Sequence, residues 1–373
     1  MANPGFDPKD LSEAVELVKR WGTVAEASRQ SGIPDPTLRR RFNVAVRRGL
    51  DSDIIHEAPA GHSIKGVSTL YDGQGGVIQQ WVKTRADQPS IEELAATIKA
   101  AFDDYESPAK PIAEPDFVDP ELATLFPVSD AHFGLYAWAE EAGGDYDLKI
   151  ADETNRAAFA RLMAASPSCE EAVIIGLGDL LHADNTENRT ARSGNALDVD
   201  TRHAKVLQVA ALYMVHAVDL ALTKHRHVTV RNLPGNHDLQ SAFTVTMALW
   251  AWFRNEPRVT VDVDPGYFWW WRWGLNLVGA THGDMAKMAQ LPLIMAASRA
   301  EDWGATKHRL VLTGHIHHKS AIETGGVIVE SFQSTAARDA WHSASGFRSG
   351  RSMTAITLHN LAGEISRQKV NIV

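Results

Sequence analysis

The spacing of apolar residues changes along the chain and separates an N-terminal helical region from a longer α/β region. In the first 50 residues, apolar side chains recur at helical spacing, and Leu11 and Val15 lie on one face of a helix that Gly22 ends. A short second helix, a turn at Gly32 and a third helix opened by a proline follow. The pattern predicts a small helical domain over residues 1–50.

The three predicted helices resemble a helix-turn-helix, whose last helix enters the major groove of DNA. Nine Lys and Arg against five Asp and Glu lie between Lys9 and Arg48, although the whole chain carries a net charge of −9. A basic head therefore precedes an acidic body, which favours nucleic-acid contact by the head. The candidate contact residues are Thr37, Arg39, Arg40 and Arg41. A bundle that serves protein assembly is the alternative.

The segment over residues 51–106 carries a weaker pattern. Apolar and polar residues alternate on both sides of the glycine-rich stretch 72–76, which predicts a β-hairpin. Residues 91–105 have helical spacing, and a proline-rich linker covers 107–120. We expect 51–106 to be a wing or connector and the main domain to span 121–373.

In the main domain, five apolar strand-like runs each end in a polar cluster. In chain order the clusters are Asp130-Ala-His132, Asp179, Asn236-His237-Asp238, His282-Gly283 and His315-Ile-His317. Helical patterns lie between the runs, so the arrangement is α/β, and ligands are expected beyond the carboxyl ends of the strands. The five strand ends are therefore expected to supply one site.

The residue types in these clusters indicate a metal centre. Carboxylates, an amide and several imidazoles are available in sufficient number for two ions with a shared carboxylate. Mixed oxygen and nitrogen ligands suit manganese, iron or zinc rather than calcium, and a single cysteine, Cys169, argues against a thiolate cluster. We expect two divalent ions, with Mn²⁺ favoured and iron or zinc as alternatives.

The ordered set of clusters resembles the calcineurin-like metallophosphoesterases over roughly residues 121 to 335. The resemblance implies an α/β fold in which a β-sandwich is flanked by helices. It also implies a ligand set, in which Asp130, His132 and His317 hold one metal, Asn236, His282 and His315 hold the other, and Asp179 bridges them.

The same resemblance implies roles for the neighbours of the ligands. His237 would hydrogen-bond the phosphoryl group or protonate the leaving oxygen, with Asp238 fixing its tautomer, while a hydroxide bridging the metals attacks phosphorus. His182, three residues after Asp179, and the DXHXG form around Asp130 resemble the DNA-repair nucleases of this superfamily.

Two further segments bear on the substrate. The polar stretch 182–203 offers Arg189, Arg192 and Arg202 for phosphate contacts, or is a solvated insertion. The aromatic run 267–274 either stacks on bases or, as the favoured interpretation, forms a hairpin buried against a sheet.

These features favour a metal-dependent phosphodiesterase, a nuclease that cleaves DNA. A phosphatase for small molecules or phosphoproteins, and a non-enzymatic DNA-binding regulator, are the alternatives. No apolar run approaches the roughly 18 residues of a membrane span, and no basic-then-apolar leader is present, so we expect a cytoplasmic protein without membrane contact. The sequence is compatible with a homo-oligomer and leaves the oligomeric state open.

Overall fold

A computed structural model describes residues 7–47, 62–71, 77–86, 99, 107–190 and 193–372. The chain forms two compact units, Met1–Leu94 and Ala95–Val373. The predicted glycine turn at 72–76, Arg192 and nearly all of the predicted helix at 91–105 lie outside the described residues. The predicted domain boundaries at 50, 106 and 120 stay predictions.

Among its described residues, the first unit contains three helices and two strands at the predicted places. The elements are α1 (Pro8–Trp21), α2 (Val24–Ser31), α3 (Asp35–Arg47), β1 (His62–Tyr71) and β2 (Val77–Ala86), and the two strands pair antiparallel. Left-handed Gly22 and Gly32, with φ of 77° and 75°, end the first two helices. Buried Leu11, Leu38 and Ala45 hold the helices together.

The turn between α2 and α3 is held by a side-chain hydrogen bond that the sequence pattern alone does not reveal. The hydroxyl of Ser28 donates to the carbonyl of Ile33 at 2.6 Å, across the left-handed Gly32. An alanine at this position would have no such donor. Ser28 is therefore a stabilising residue of this turn.

The second unit contains two sheets and seven α-helices among the described residues. Its strands are β3 (Asp119–Val128), β4 (Cys169–Gly176), β5 (His227–Asn232), β6 (Val259–Asp262), β7 (Trp269–Trp273), β8 (Asn276–Thr281), β9 (His308–Thr313), β10 (Ser320–Thr324), β11 (Val327–Ser331), β12 (Arg351–His359) and β13 (Gly363–Ile372). Its helices are α4 (Ala139–Ala142), α5 (Leu148–Ala165), α6 (His203–Leu222), α7 (Ser241–Phe253), α8 (Leu291–Ser298), α9 (Ala300–Ala305) and α10 (Ala340–Ala344).

One sheet has six strands in the order β13-β12-β3-β4-β5-β6, and the other has five in the order β10-β11-β9-β8-β7. Strands β3 to β6 run parallel, as do β11, β9 and β8, so their carboxyl ends meet at common edges. This is the arrangement that brings the ends of β3, β4, β5, β8 and β9 together.

The two sheets pack face to face, and helices cover their outer faces. Leu125 and Ile175 of the first sheet share a buried cluster with Val278 and Leu312 of the second. Helices α5, α6 and α7 bury their apolar faces on the six-stranded sheet, while α8 and a 3-10 turn cover the other. The predicted α/β fold, a β-sandwich flanked by helices, is confirmed.

Helix α6 is long and apolar enough to span a membrane by length and composition alone. Half of its apolar window is buried inside this unit, where Tyr213, Met214 and Val218 pack in the helix-covered core. Its apolar character therefore has a structural explanation within the fold. The expected cytoplasmic location stays a prediction.

The tryptophan-rich run forms strand β7, the edge strand of the five-stranded sheet. Trp269 and Trp271 stack with centroids 6.2 Å apart and pack between the sheets, whereas Phe268 and Trp270 stack at 5.9 Å on the outer face. The alternation of a strand places rings on both faces. The favoured interpretation, a hairpin packed in the core, is confirmed by its antiparallel pairing with β8.

Candidate metal centre

Each of the five predicted clusters lies directly after the carboxyl end of a strand. Asp130 follows β3, Asp179 follows β4, Asn236 follows β5, His282 follows β8 and His315 follows β9. The parallel register within each sheet and the packing of the sheets bring these ends together. The structure thus assembles the predicted ligands into two groups at one edge of the sandwich.

The first group consists of Asp130, His132 and His317, whose ligand atoms lie within 4.8 Å of one another. The Nε2 atoms of His132 and His317 are 3.1 Å apart, and His317 Nε2 is 3.4 Å from Asp130 Oδ1. Two nitrogens that bind one cation at about 2.1 Å lie about 3 Å apart when they subtend roughly 90°. The spacing fits a divalent ion between them.

The second group consists of Asp179, His282 and His315, with Asn236 beside it. The Nδ1–H of His282 donates to the carbonyl of Leu177 at 2.8 Å, which directs Nε2 toward the other members of the group. That nitrogen lies 3.0 Å from Asn236 Oδ1 and 3.2 Å from Asp179 Oδ2. These three atoms lie close enough together to share one cation, which His282 Nε2 would bind in its unprotonated form.

Asp179 lies between the two groups. Its Oδ2 is 3.2 Å from Nε2 of His282 in the second group and 4.0 Å from Nε2 of His132 in the first. Its Oδ1 accepts the backbone N–H of His237 at 2.8 Å, which fixes the carboxylate. This side chain is therefore placed to serve both groups at once.

Backbone strain is concentrated at the same residues. Among the described residues other than glycine, six have positive φ, and five of them are candidate ligands: Asp130 (48°), His132 (45°), Asp179 (52°), His315 (69°) and His317 (56°). Such conformations cost of order 1 kcal/mol or more each and persist where the surrounding structure enforces them. Strain at five converging ligands indicates a functional site rather than an accident of packing.

Three glycines have no side chain at positions where a Cβ would overlap the candidate ligands. A Cβ on Gly235 would lie 2.1 Å from Asp179 Oδ1, one on Gly314 would lie 2.6 Å from Asp130 Oδ2, and one on Gly178 would lie 2.6 Å from His282 Nδ1. Each glycine therefore permits a close approach that any larger residue would block.

Charge and burial act in opposition on the buried acids. Burial works to raise the pKa of Asp179, but the adjoining His282, by charge and hydrogen bond, holds it well below its usual range. Burial likewise opposes the lowering of the Asp130 pKa by His317. Both carboxylates are thus maintained in the ionised form that binds cations.

His182 and His237 form a third group with His132. The rings of His182 and His237 stack with centroids 5.2 Å apart, and Nδ1 of buried His182 lies 3.1 Å from Nδ1 of His132. His182 therefore positions the ring of a candidate ligand. His237 is partly exposed, and its Nδ1–H donates to the carbonyl of His182 at 2.8 Å, so Nε2 is the nitrogen left for a substrate.

The predicted role of Asp238 is wrong. Its buried carboxylate accepts from three backbone N–H groups, those of Gly235 (2.9 Å), Asp179 (3.1 Å) and Leu181 (3.1 Å). The carbonyl of His182, and not Asp238, fixes the tautomer of His237. Adjacent residues in a tight turn point in different directions, which the sequence does not show. Through these hydrogen bonds, Asp238 instead links the loop after β4 to the loop after β5.

Other residues that support the site were missed in the sequence. The hydroxyl of Ser129 donates to Asp130 Oδ2, and that of Ser334 donates to the Asp130 carbonyl at 2.7 Å. Ser129 adjoins a predicted ligand and could have been considered. Ser334 follows β11, a strand with no predicted cluster at its end, and only the fold reveals it.

The predicted phosphate-binding arginines lie in an exposed stretch. Arg189 donates to the carbonyl of Gly194 at 2.8 Å and thereby closes a turn, and Arg202 is exposed at the start of α6. Arg192 lies outside the described residues. Their role in substrate binding stays a prediction.

On the third helix of the first unit, Thr37, Arg39 and Arg40 are exposed, as predicted for a contact face. Arg39 pairs with Asp35 at 3.1 Å on the same surface. The prediction that Arg41 lies on this face is wrong, because its guanidinium turns inward and pairs with Asp10 of α1 at 3.0 Å. Nucleic-acid binding by the exposed residues stays a prediction.

No protein-family model and no curated protein sequence matches the chain. Solved structures that resemble it include a dimetal phosphatase from Danio rerio (8% identity, 68% of this chain and 100% of that chain, TM-score 0.36) and an archaeal phosphodiesterase (12%, 66% and 99%, 0.33). A Streptococcus pneumoniae protein described as a predicted phosphoesterase is also similar (11%, 67% and 98%, 0.27). At these identities and TM-scores, the likeness assigns no activity or substrate to this chain.

Proposed function

We propose that the protein is a metal-dependent phosphodiesterase that hydrolyses nucleic acid. One observation carries the proposal: two groups of oxygen and nitrogen ligands converge from five strand ends and have Asp179 between them. Two adjacent cations are the arrangement that supports in-line displacement at phosphorus. Both groups lie at an edge where Asn236, His237, His315 and His317 are partly exposed, so a substrate can reach them.

The residues present fit two divalent ions, with Asp130, His132 and His317 holding one, Asn236, His282 and His315 holding the other, and Asp179 bridging. Manganese is the favoured metal for this mixture of carboxylate, amide and imidazole, with iron or zinc as alternatives. Ions bound there would supply Lewis-acid activation of water and neutralise charge on the phosphoryl oxygens.

His237 is the residue assigned to the leaving group. Its Nδ1–H is held by the His182 carbonyl, and its ring lies 4.9 Å, centroid to centroid, from that of the candidate ligand His132. A protonated Nε2 in this position donates to a phosphoryl or leaving oxygen. His182 holds both neighbouring rings in place, one through its carbonyl and the other through its own ring nitrogen.

The exposed Thr37, Arg39 and Arg40 support nucleic acid as the substrate class, with DNA favoured. A helical unit with exposed arginines on its third helix provides charge for phosphate contacts that a small-molecule phosphatase does not need. This part of the proposal concerns binding by the first unit and is separable from the chemistry of the second.

The test uses the purified full chain loaded with Mn²⁺. It is assayed on single- and double-stranded DNA, linear and circular DNA, RNA, bis(4-nitrophenyl) phosphate and 4-nitrophenyl phosphate. We expect hydrolysis of DNA and of the diester, and loss of both in Asp179→Asn. Turnover of the monoester alone would support a phosphatase, and DNA binding without hydrolysis would support a regulator. Asp145→Asn is the matched control, because Asp145 is an exposed carboxylate just after α4 that accepts the backbone N–H of Ala139.

A further inference from the structure

A cleft beside the metal centre has no role in the proposed reaction. It is open to solvent and spans about 340 Å³ including that open space, and its lining includes His317, Ser334, Arg338, Phe347, Ser349 and Arg351, which together define the arginine cleft. Because His317 lines the cleft and is also a candidate metal ligand, the cleft adjoins the first group of ligands. A substrate bound at the metals has this cleft as its immediate neighbour.

The arginine cleft is positively charged. Of the nine described residues that line it, two are arginines, two are serines and none is acidic. Guanidinium and hydroxyl groups donate hydrogen bonds, and planar guanidinium groups match the geometry of phosphate oxygens. The lining therefore favours an anion with several oxygen acceptors.

Both guanidinium groups are fixed by neutral partners. Arg351 donates through Nε and Nη2 to the carbonyl of Thr335 at 3.0 and 2.8 Å, and lies over the ring of Tyr146. Arg338 donates through Nη1 to the carbonyl of Phe347 at 3.3 Å. These contacts orient the side chains without neutralising their charge, so the cleft is preorganised for an anion.

The same segment links the cleft to the metal ligands. Ser334 lines the cleft and donates to the carbonyl of Asp130 at 2.7 Å, and the next residue, Thr335, is the acceptor of Arg351. The backbone segment that positions Arg351 in the cleft therefore also supports a candidate metal ligand.

We propose that the arginine cleft binds a second, non-scissile phosphate of the substrate, with Arg338 as the main contact and Arg351 as a fixed partner. The preferred substrate is then a strand or nucleotide that carries a phosphate next to the one being cleaved. This inference rests on the proposed function, because the neighbour of the cleft is taken to be the reacting phosphate.

The test compares three dinucleotides with the same scissile diester: thymidylyl-thymidine, and the same molecule phosphorylated at its 5′ end or at its 3′ end. We expect the Mn²⁺-loaded protein to cleave one phosphorylated form with a kcat/KM about 10- to 100-fold above that of the unphosphorylated form. This range corresponds to one or two charge-assisted hydrogen bonds. Arg338→Gln is expected to abolish the preference and leave cleavage of the unphosphorylated form within about threefold.

Two variants separate binding in the cleft from a general structural effect. Arg338→Lys keeps the charge and is expected to retain part of the preference. Arg348→Gln is the matched control, because Arg348 is an exposed arginine of the same segment that bonds to the Phe347 carbonyl but does not line the cleft. It is expected to keep the full preference.

A binding measurement on chelator-treated protein makes the inference testable without turnover. Calorimetric titration with the preferred phosphorylated dinucleotide should give a Kd about 10-fold or more higher for Arg338→Gln than for wild type and Arg348→Gln. Equal cleavage of all three dinucleotides, with equal Kd values, would overturn the inference and leave the proposed function standing. Absence of diester hydrolysis together with an Arg338-dependent Kd would refute the proposed function but retain the anion site.

Discussion

Replacement of Asp238 by asparagine tests whether this residue fastens two loops or orients His237. The carboxylate is fully buried, with Oδ1 accepting from the N–H groups of Gly235 and Asp179 and Oδ2 accepting from that of Leu181. An asparagine keeps one oxygen but replaces the other with an amide donor. In one orientation of the asparagine the amide N–H faces the N–H of Leu181. In the other orientation it faces the N–H groups of Gly235 and Asp179.

The expected loss follows from these contacts. In the better orientation two donors, Leu181 N–H and one amide N–H, lose an acceptor, and each buried unsatisfied donor costs about 1–3 kcal/mol. We expect Asp238→Asn to lower the free energy of unfolding by about 2–6 kcal/mol. Asp238→Ala, which removes both acceptor oxygens and so all three hydrogen bonds, should lower it by more. Asp145→Asn, whose aspartate accepts one exposed N–H from Ala139, should change it by less than about 1 kcal/mol.

The assay is urea unfolding of the full chain with chelator present, combined with turnover on two diesters. If Asp238 fastens the loops, Asp238→Asn should weaken metal binding and slow a nitrophenyl diester and DNA by similar factors. Unchanged stability, with slowing only for DNA, whose leaving group needs a proton, would refute this interpretation. It would restore Asp238 as the residue that orients His237.

Three further outcomes are expected. His237→Ala should keep both metals by elemental analysis. It should lose about 100- to 10,000-fold in turnover of DNA but much less in turnover of a nitrophenyl diester. Metal loss in this variant would count against the assignment of His237 as an acid. Replacing Arg39 and Arg40 with Gln should lower the slope of log affinity for DNA against log salt concentration by about one per lost phosphate contact. Arg29→Gln serves as the control, and an unchanged slope in the Arg39 and Arg40 variant would favour a role of the helical unit in protein assembly. Burial, and to a lesser extent Lys224, lowers the pKa of His225 to about 4, below its unfolded value near 6.5. The protein should therefore lose up to about 3 kcal/mol of stability as the pH falls from 6.5 to 4. Urea unfolding of His225→Leu should show a flatter pH dependence of stability, and an identical dependence would contradict the assignment to His225.

The sequence predicted the ligand positions because they depend on local features. Each of Asp130, Asp179, Asn236, His282 and His315 lies within four residues of the end of a short, largely buried run, and such runs are typical of internal strands. Once five strands are parallel to their neighbours, their ends must converge. The alternation in the tryptophan run likewise predicted a packed strand because ring burial follows from the period of two.

The sequence could not predict contacts that depend on how loops turn. Asp130, His132 and Asp179, which have positive φ in the loops after β3 and β4, direct side chains and N–H groups in ways that no spacing rule gives. Asp238 therefore binds backbone N–H groups instead of His237. The pairing of Arg41 with Asp10 depends on how α1 crosses α3. Apart from His317, the lining of the arginine cleft comes from residues between the end of β11 and the start of β12, beyond the last recognisable motif.

We propose that one carboxylate, that of Asp179, is shared by two metal ions. The most direct test is elemental analysis combined with electron paramagnetic resonance of the full chain after loading with Mn²⁺. We expect two Mn²⁺ per chain and a spin-coupled spectrum in the wild type, and loss of the coupling with weakened metal binding in Asp179→Asn. A single uncoupled Mn²⁺ in the wild type, or an unchanged coupled pair in Asp179→Asn, would contradict the claim.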